Sequence, residues 1–210
     1  MMKILIADDH AIVRTGFHKI IEDYSGNLMV DEAEDGIEVL DKLKESKYDL
    51  IILDINMPNK NGLDTLKEIK LINSDQKVII LSMYSDEQYA MRAFKAGASG
   101  YLNKTMAPKI LNQAIKKVLN GGKYISPDFA EKMLDIFEPS SDKLPHQLLS
   151  DREFQIFNLV VQGKSTTEIA GELCLSVKTV STHRKHILEK MGMKNNTQLV
   201  QYAITNSLII

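Results

Sequence analysis

The chain has 210 residues, of which 44% are hydrophobic, and its 26 Lys and Arg against 28 Asp and Glu give a formal net charge of −2. This length suits one large or two small domains, and the hydrophobic content can supply folded cores, which excludes disordered and fibrous classes. The single cysteine, Cys174, excludes an internal disulfide and a zinc site built from several thiolates, as is usual for a reducing compartment.

The charge is unevenly distributed along the chain. Residues 1–138 hold 18 basic and 22 acidic residues, whereas residues 139–210 hold 8 basic and 6 acidic ones. The first segment is therefore net negative and the second net positive, which predicts two parts of the chain with different partners. No apolar run approaches the roughly 20 residues of a membrane span, and the first apolar run ends in acid rather than in a signal-peptide cleavage site. We therefore expect a cytoplasmic protein that does not engage a membrane.

Short apolar runs alternate with helical patterns over residues 1–120. The strand-like runs cover residues 3–7, 28–33, 50–53, 77–81 and 100–102. Two of them are apolar without alternation, which is typical of strands buried on both faces of a parallel sheet. Five strands alternating with five helices predict an α/β doubly wound five-stranded parallel sheet, whose functional loops lie at the carboxyl ends of the strands.

The pattern changes after residue 120. Residues 121–148 contain two glycines and three prolines and are predicted to be a linker with one short helix over residues 128–137. Residues 149–210 are predicted to form a small all-α domain.

The helix starts of this second domain are marked by capping residues. Ser150 with Glu153 and Ser165 with Glu168 both fit the capping box. Ser176 is predicted to cap a third helix that runs to about residue 191, and a fourth helix is expected after residue 197.

Three carboxylates in the first domain follow strand ends. Asp8 and Asp9 come directly after the first strand and Asp54 ends the third, and these strands are neighbours in a doubly wound sheet. Close carboxylates repel one another unless a cation or a proton joins them. An all-oxygen cluster of this kind suits Mg²⁺.

A hydroxyl and a cation are expected at the same rim. Ser82 follows the fourth strand and Lys104 follows the fifth. A carboxylate can act as a nucleophile to give an aspartyl phosphate, with Mg²⁺ and Lys104 balancing the charge. Any one aspartate after a strand is ordinarily a cap or a loop residue, but polar groups at successive strand ends favour a phosphoryl site.

These residues resemble the receiver domain of bacterial response regulators, and the resemblance covers about residues 1–120. It rests on the acidic pair, Asp54, the turn over residues 57–62, Ser82, Tyr101 and Lys104. The resemblance implies that a sensor histidine kinase phosphorylates Asp54. It also implies that Ser82 and Tyr101 form a switch pair, in which the ring follows the hydroxyl inward.

By the same resemblance, Mg²⁺ is held by Asp9, Asp54 and the backbone carbonyl of Asn56, with Asp8 helping through water. An alternative is an aspartyl-phosphate phosphatase-like enzyme, similar to haloacid dehalogenases, with a helical accessory domain. Those enzymes place a general acid two residues after the nucleophile, and Asn56 cannot deliver a proton. A regulator that senses a ligand instead of phosphate is a second alternative.

Basic residues are concentrated in residues 176–194, which hold five Lys and Arg against one Glu. At helical spacing, one stripe is apolar and predicted to pack inward: Val177, Val180, Ile187, Leu188 and Met191. Another stripe offers hydroxyls flanked by cations and suits the major groove of DNA: Lys178, Ser181, Thr182 and Lys185, with Glu189. A short helix over residues 166–173 and a turn at Cys174 precede it, which predicts a helix-turn-helix. A helical bundle with a merely solvated basic stripe is the alternative.

The second domain resembles the LuxR-type helix-turn-helix, and with the receiver the whole chain is similar to NarL/FixJ-family response regulators. The resemblance implies a homodimer on activation that binds promoter DNA and regulates transcription. It places Ser181, Thr182 and Lys185 near bases, and it places four residues near phosphates: Lys178, Thr179, His183 and Arg184. One departure is Asn195-Asn196-Thr197, where the family more often has Arg before the hydroxyl residue.

Overall fold

The computed structural model describes residues 2–22, 28–83, 87–126, 130, 144–206 and 208. The chain divides into two compact units, Met1–Phe137 and Glu138–Ile210. Apart from residue 130, the helix predicted over residues 128–137 lies outside the described residues.

The first unit is built on a parallel sheet of five strands. The strands are β1 (Met2–Ala7), β2 (Leu28–Ala33), β3 (Leu50–Asp54), β4 (Val78–Ser82) and β5 (Gly100–Asn103), in the order β2-β1-β3-β4-β5. The order reverses between β1 and β3, and ligands of such sheets bind at the carboxyl ends of the strands where the order reverses. The predicted fold class is confirmed.

Helices cover both faces of this sheet. They are α1 (Ala11–Glu22), α2 (Gly36–Glu45), α3 (Gly62–Ile72), α4 (Glu87–Lys95) and α5 (Ala107–Leu119). Alternate strand residues pack against α1 and α5 in one apolar cluster, and the residues between them point to the opposite face. All five residues of β3 and of β4 are buried, which is why their sequences are apolar without alternation.

Tyr124, which was predicted to lie in the linker, packs into the first unit. It is 7% exposed and belongs to the core cluster with α5. Its amide donates to the carbonyl of Ser99, and its own carbonyl accepts from the amide of Tyr101, in a parallel bridge beside β5. A parallel bridge therefore joins the chain to β5 at position 124, beyond residue 120.

The second unit is helical where the structure describes it. A 3₁₀ turn (Pro145–Leu148) precedes α6 (Asp151–Val161), α7 (Thr166–Glu172), α8 (Val177–Met191) and α9 (Asn196–Thr205). Both predicted capping boxes are present, at Ser150 and at Ser165, and Ser176 caps α8. None of the helices within the described ranges is long and apolar enough to span a bilayer.

The turn between α7 and α8 contains Cys174 in the left-handed region, with φ of 51°. The inward face of α8 is formed by Val180, Ile187 and Met191, as predicted. The prediction that Val177 packs inward is wrong, because this residue is 47% exposed. Val177 is the first residue of the helix, and the buried stripe begins one turn later.

Candidate phosphoacceptor site and nucleic-acid interface

The carboxyl ends of β1 and β3 bring two buried carboxylates together. Asp8 is 0% exposed and Asp54 is 1% exposed. The Lys104 Nζ atom, on the loop after β5, lies 2.6 Å from Asp8 Oδ2 and 2.8 Å from Asp54 Oδ2. Three residues predicted from separate strand ends therefore meet at one point.

Burial and charge oppose each other at Asp54 and Lys104. It raises the pKa of Asp54 to about 6, although Lys104 opposes the shift and Asp8 adds to it. Burial alone lowers the pKa of Lys104, but the charges of Asp54 and Asp8 outweigh it and hold that pKa above its usual value. Lys104 is thus a fixed cation that favours the ionised carboxylates.

The acidic pair occupies a tight turn between β1 and α1. The backbone amide of His10 donates to Asp8 Oδ1 at 2.9 Å, and His10 Nδ1 lies 2.7 Å from Asp9 Oδ1. Asp9 is exposed, unlike Asp8. The sequence placed His10 beside the pair but did not show that its ring and amide both contact it.

The donor set at this rim fits a hard divalent cation. Among the described residues, Asp8 Oδ2 and Asp54 Oδ2 are buried and accept no hydrogen bond besides their ion pairs with Lys104. Ligand atoms of Asp8, Asp9 and His10 lie within 4.8 Å of one another. Three carboxylates against one lysine leave an excess of negative charge, which a cation with oxygen preference can neutralise.

The turn after β3 is shaped by close backbone contacts. The Asn56 amide donates to the Asp54 carboxylate, and the Gly62 amide donates to the carbonyl of Ile55 at 2.9 Å. A Cβ atom at Gly62 would lie 2.0 Å from the carbonyl oxygen of Asp54. Glycine is therefore required at position 62, because any side chain would displace the strand end that carries Asp54.

The predicted switch residues lie on the neighbouring strands. Ser82 ends β4, is 1% exposed, and its carbonyl accepts from the Lys104 amide at 2.8 Å. Tyr101 lies in β5 opposite Ile80 and is 8% exposed, so its ring occupies a buried position. The structure thus places a hydroxyl next to the lysine loop and an aromatic ring one strand further along the sheet.

The outer face of α8 carries polar and basic side chains. Lys178, Ser181, Thr182 and Lys185 are all exposed. The Thr182 hydroxyl donates to the carbonyl of Lys178 at 3.0 Å, which leaves its lone pairs for a donor outside the helix. This face combines hydroxyls and cations as the sequence predicted.

Two residues predicted near phosphates, His183 and Arg184, are half-buried in the second unit. The Arg184 guanidinium donates to Thr166 Oγ1 and, at 2.9 Å, to Asn196 Oδ1. Burial lowers the pKa of His183, whose Nδ1 is buried without a hydrogen-bond partner in the part of the chain that the structure describes. The Arg184 contacts join α8 to the starts of α7 and α9, whereas His183 is half-buried.

Comparisons with known proteins match both units. Residues 4–116 match the response regulator receiver domain, and residues 147–203 match the LuxR family of bacterial regulatory proteins. The oxygen regulatory protein NreC of Staphylococcus carnosus is 37% identical over 215 residues, covering 99% of each chain. The response regulator GacA of Pseudomonas syringae pv. syringae is 35% identical over 210 residues, covering 100% of this chain and 98% of its own.

A solved structure extends the comparison to three dimensions. Salmonella enterica serovar Typhimurium RcsB, bound to the promoter rprA with the phosphomimetic BeF3⁻, is 27% identical and has a TM-score of 0.65. The match covers 96% of this chain and 98% of that one.

The fold and the site define a response regulator that joins a receiver domain to a helix-turn-helix domain. The chain belongs to the NarL/FixJ family of response regulators, whose members regulate transcription, and the family predicted from the sequence is confirmed.

Proposed function

We propose that Asp54 accepts a phosphoryl group from the phosphohistidine of a sensor kinase. The observation that carries this proposal is the buried carboxylate of Asp54 at the end of β3, which Lys104 Nζ joins to the carboxylate of Asp8. An Asp54 oxygen attacks phosphorus, the phosphorus–nitrogen bond breaks, and the histidine nitrogen leaves. Lys104 balances the added charge, and Ser82 and Tyr101 respond to it as the switch pair.

We also propose which groups hold Mg²⁺. Asp9, Asp54 and the backbone carbonyl of Asn56 are its ligands, and Asp8 contributes through water. When bound, Mg²⁺ neutralises negative charge on the phosphoryl oxygens. The buried Asp8 and Asp54 oxygens without a further hydrogen bond support this assignment.

Mass spectrometry tests the phosphoacceptor. Acetyl phosphate with Mg²⁺ should add one phosphoryl mass to the native chain and none to Asp54→Ala. Asp41→Ala is the matched control, because Asp41 is an exposed carboxylate on α2 that pairs only with Lys44 among the contacts described. Equal labelling of Asp54→Ala would remove the proposal, and steady turnover of a phosphomonoester would favour the phosphatase-like alternative.

We propose that α8 enters the major groove of promoter DNA. Ser181, Thr182 and Lys185 then face bases, while Lys178 and Thr179 lie near phosphates. The exposed hydroxyls and cations on one face of α8 support this role, as does the RcsB structure, which contains promoter DNA. Phosphorylation is proposed to favour a homodimer, in which two such helices read adjacent half-sites.

Selection of binding sites from random DNA tests whether α8 recognises a specific sequence. The full chain should enrich a specific sequence from random double-stranded DNA in the presence of beryllofluoride. Lys185→Ala should weaken binding to that sequence more than binding to random DNA. The control is Lys164→Ala, on the loop before α7, which should not change the preference for that sequence. An equal loss of affinity for both DNAs would show that Lys185 contacts the phosphate backbone of the DNA and not the bases.

A further inference from the structure

A buried arginine on α1 contacts the loop that carries the acidic pair. The Arg14 side chain is 9% exposed. Its Nη1 donates to the carbonyl oxygen of Asp8 at 2.7 Å. Its Nε donates to Glu32 at 3.0 Å and its Nη2 to Glu34 at 2.8 Å. One guanidinium therefore joins α1 to the ends of both β1 and β2.

These contacts differ in their surroundings. The Glu32 and Glu34 side chains are 36% and 71% exposed, and ion pairs to exposed partners contribute little stability. The contact with the Asp8 carbonyl is buried. The planar fork of arginine holds several acceptors in fixed directions, which lysine cannot reproduce. The geometry thus indicates a role in orienting the backbone, beyond any contribution to stability.

The Asp8 carbonyl belongs to the peptide group that joins Asp8 to Asp9. The amide of Asp8 is fixed by the Ala33 carbonyl at 3.1 Å, and its carboxylate receives the amide of His10. Arg14 fixes the remaining group, the carbonyl oxygen. Rotation of this peptide group moves the Cα of Asp9, and with it the exposed carboxylate at the rim.

We propose that Arg14 is a positioning residue, which orients the Asp8–Asp9 peptide group and thereby sets the affinity of the acidic site for a divalent cation. The proposal rests on the cation site in the proposed function. Groups that orient metal ligands typically change metal affinity by about 10- to 100-fold when they are removed.

Charge and position predict opposite results for the same variant. Arg14→Gln removes a positive charge near the site, so electrostatics alone predicts tighter cation binding. Loss of positioning predicts weaker binding. The sign of the change therefore separates the two effects.

Isothermal titration of the full chain with Mg²⁺ tests the proposal. Arg14→Gln should bind Mg²⁺ about 10- to 100-fold more weakly than the native chain. Glu32→Gln is the matched control, because it removes an ion-pair partner of Arg14 and leaves the Asp8 contact in place; its affinity should stay within about twofold of the native chain. Equal or tighter binding by Arg14→Gln would overturn the proposal.

Further measurements separate positioning from general damage. At saturating Mg²⁺, acetyl phosphate should label Arg14→Gln at close to the native rate, and a deficit that persists at saturation would contradict the proposal. Should circular dichroism show Arg14→Gln unfolded, Arg14→Lys decides: at least fivefold weaker binding supports the proposal and unchanged binding overturns it. Failure of the proposed function has a different signature, namely that Asp9→Asn leaves Mg²⁺ affinity unchanged.

Discussion

The Arg184 guanidinium is the point at which three helices of the second unit meet. It extends from the middle of α8 to Thr166 at the start of α7 and to Asn196 at the start of α9. Asn196 lies in the segment that departs from the usual family pattern. A carboxamide there accepts a hydrogen bond from arginine, which a second arginine could not do. The departure therefore has a structural partner within the unit.

Substitution of Arg184 distinguishes packing from phosphate contact. Arg184→Ala should lower the free energy of unfolding by about 1.5–3 kcal/mol, because it removes hydrogen bonds to a charged group. The dependence of DNA affinity on salt should keep its native slope, since no phosphate contact is lost. Lys178→Ala is the comparison and should reduce that slope by about one. A reduced slope for Arg184→Ala, measured by binding at several salt concentrations, would show that this arginine contacts a phosphate.

At the level of the helices, a single carboxylate joins the start of α6 to the end of α8. Glu153 Oε2 accepts from the Ser150 amide at 2.8 Å and from Lys190 Nζ at 2.6 Å, and its side chain is 5% exposed. Burial favours the protonated acid, but Lys190 and Ser150 outweigh it and hold the pKa of Glu153 below its usual value. The capping box and the interhelical ion pair thus share one group.

This arrangement predicts a pH-dependent stability. A carboxylate whose pKa is lowered by folding stabilises the protein above its unfolded pKa of about 4.3, and this contribution is lost as the pH falls through the lower folded pKa. Glu153→Gln keeps a capping side chain but loses the charge, so it should cost about 1–2 kcal/mol at pH 7 and progressively less below about pH 4. Urea denaturation at pH 7 and at about pH 3 measures the difference in the free energy of unfolding.

An exposed pair provides the control for this variant. The Lys164–Glu172 side chains are 36% and 40% exposed, and Glu172→Gln should change the stability by less than about 0.5 kcal/mol at either pH. An equal loss at pH 7 and at about pH 3 for Glu153→Gln would mean that the ionised form of Glu153 has no special role.

The strands and helix starts could be read from the sequence because their signals are local. Apolar runs predict β3 and β4, and the Ser and Glu pairs predict α6 and α7. The role of Arg14 could not be predicted in this way, because its partners, Glu32 in β2 and Glu34 just after it, become its neighbours only when the sheet forms. The prediction that Val177 packs inward was wrong, because helical periodicity shows which face of a helix is buried but not at which residue the packing begins.

Across the whole molecule, the boundary of the receiver depends on Tyr124. Its backbone pairs with Ser99 and with Tyr101, and its ring is buried beside α5. Tyr124→Ala should destabilise the first unit by about 3 kcal/mol, in the range of large-to-small aromatic substitutions in a core. Thermal unfolding of the full chain measures this, with Tyr124→Phe as the control that keeps the ring. A change of less than about 0.5 kcal/mol in the free energy of unfolding would show that Tyr124 belongs to the linker and not to the core of the first unit.

The coupling between phosphorylation and DNA binding can arise in two ways. Activation either joins two chains or releases α8 within one chain. In a dimer, the second contact becomes intramolecular, and the gain in apparent affinity reaches about 100-fold or more only when the DNA offers two sites that both helices can reach. Release of the helix raises affinity for one site and for two sites alike.

Binding to DNA with one or two half-sites separates these mechanisms. We expect beryllofluoride to raise affinity by about 100-fold for DNA with two half-sites about 34 Å apart, and by less than about threefold for DNA with one. Sedimentation of the protein without DNA should show dimers only with beryllofluoride, and Asp54→Asn should show neither effect. An equal gain on both DNAs, with a monomer in sedimentation, would establish release of α8 instead. The comparison separates the two mechanisms because a dimer binds both half-sites at once, whereas a released monomer binds one half-site at a time and gains nothing from their spacing.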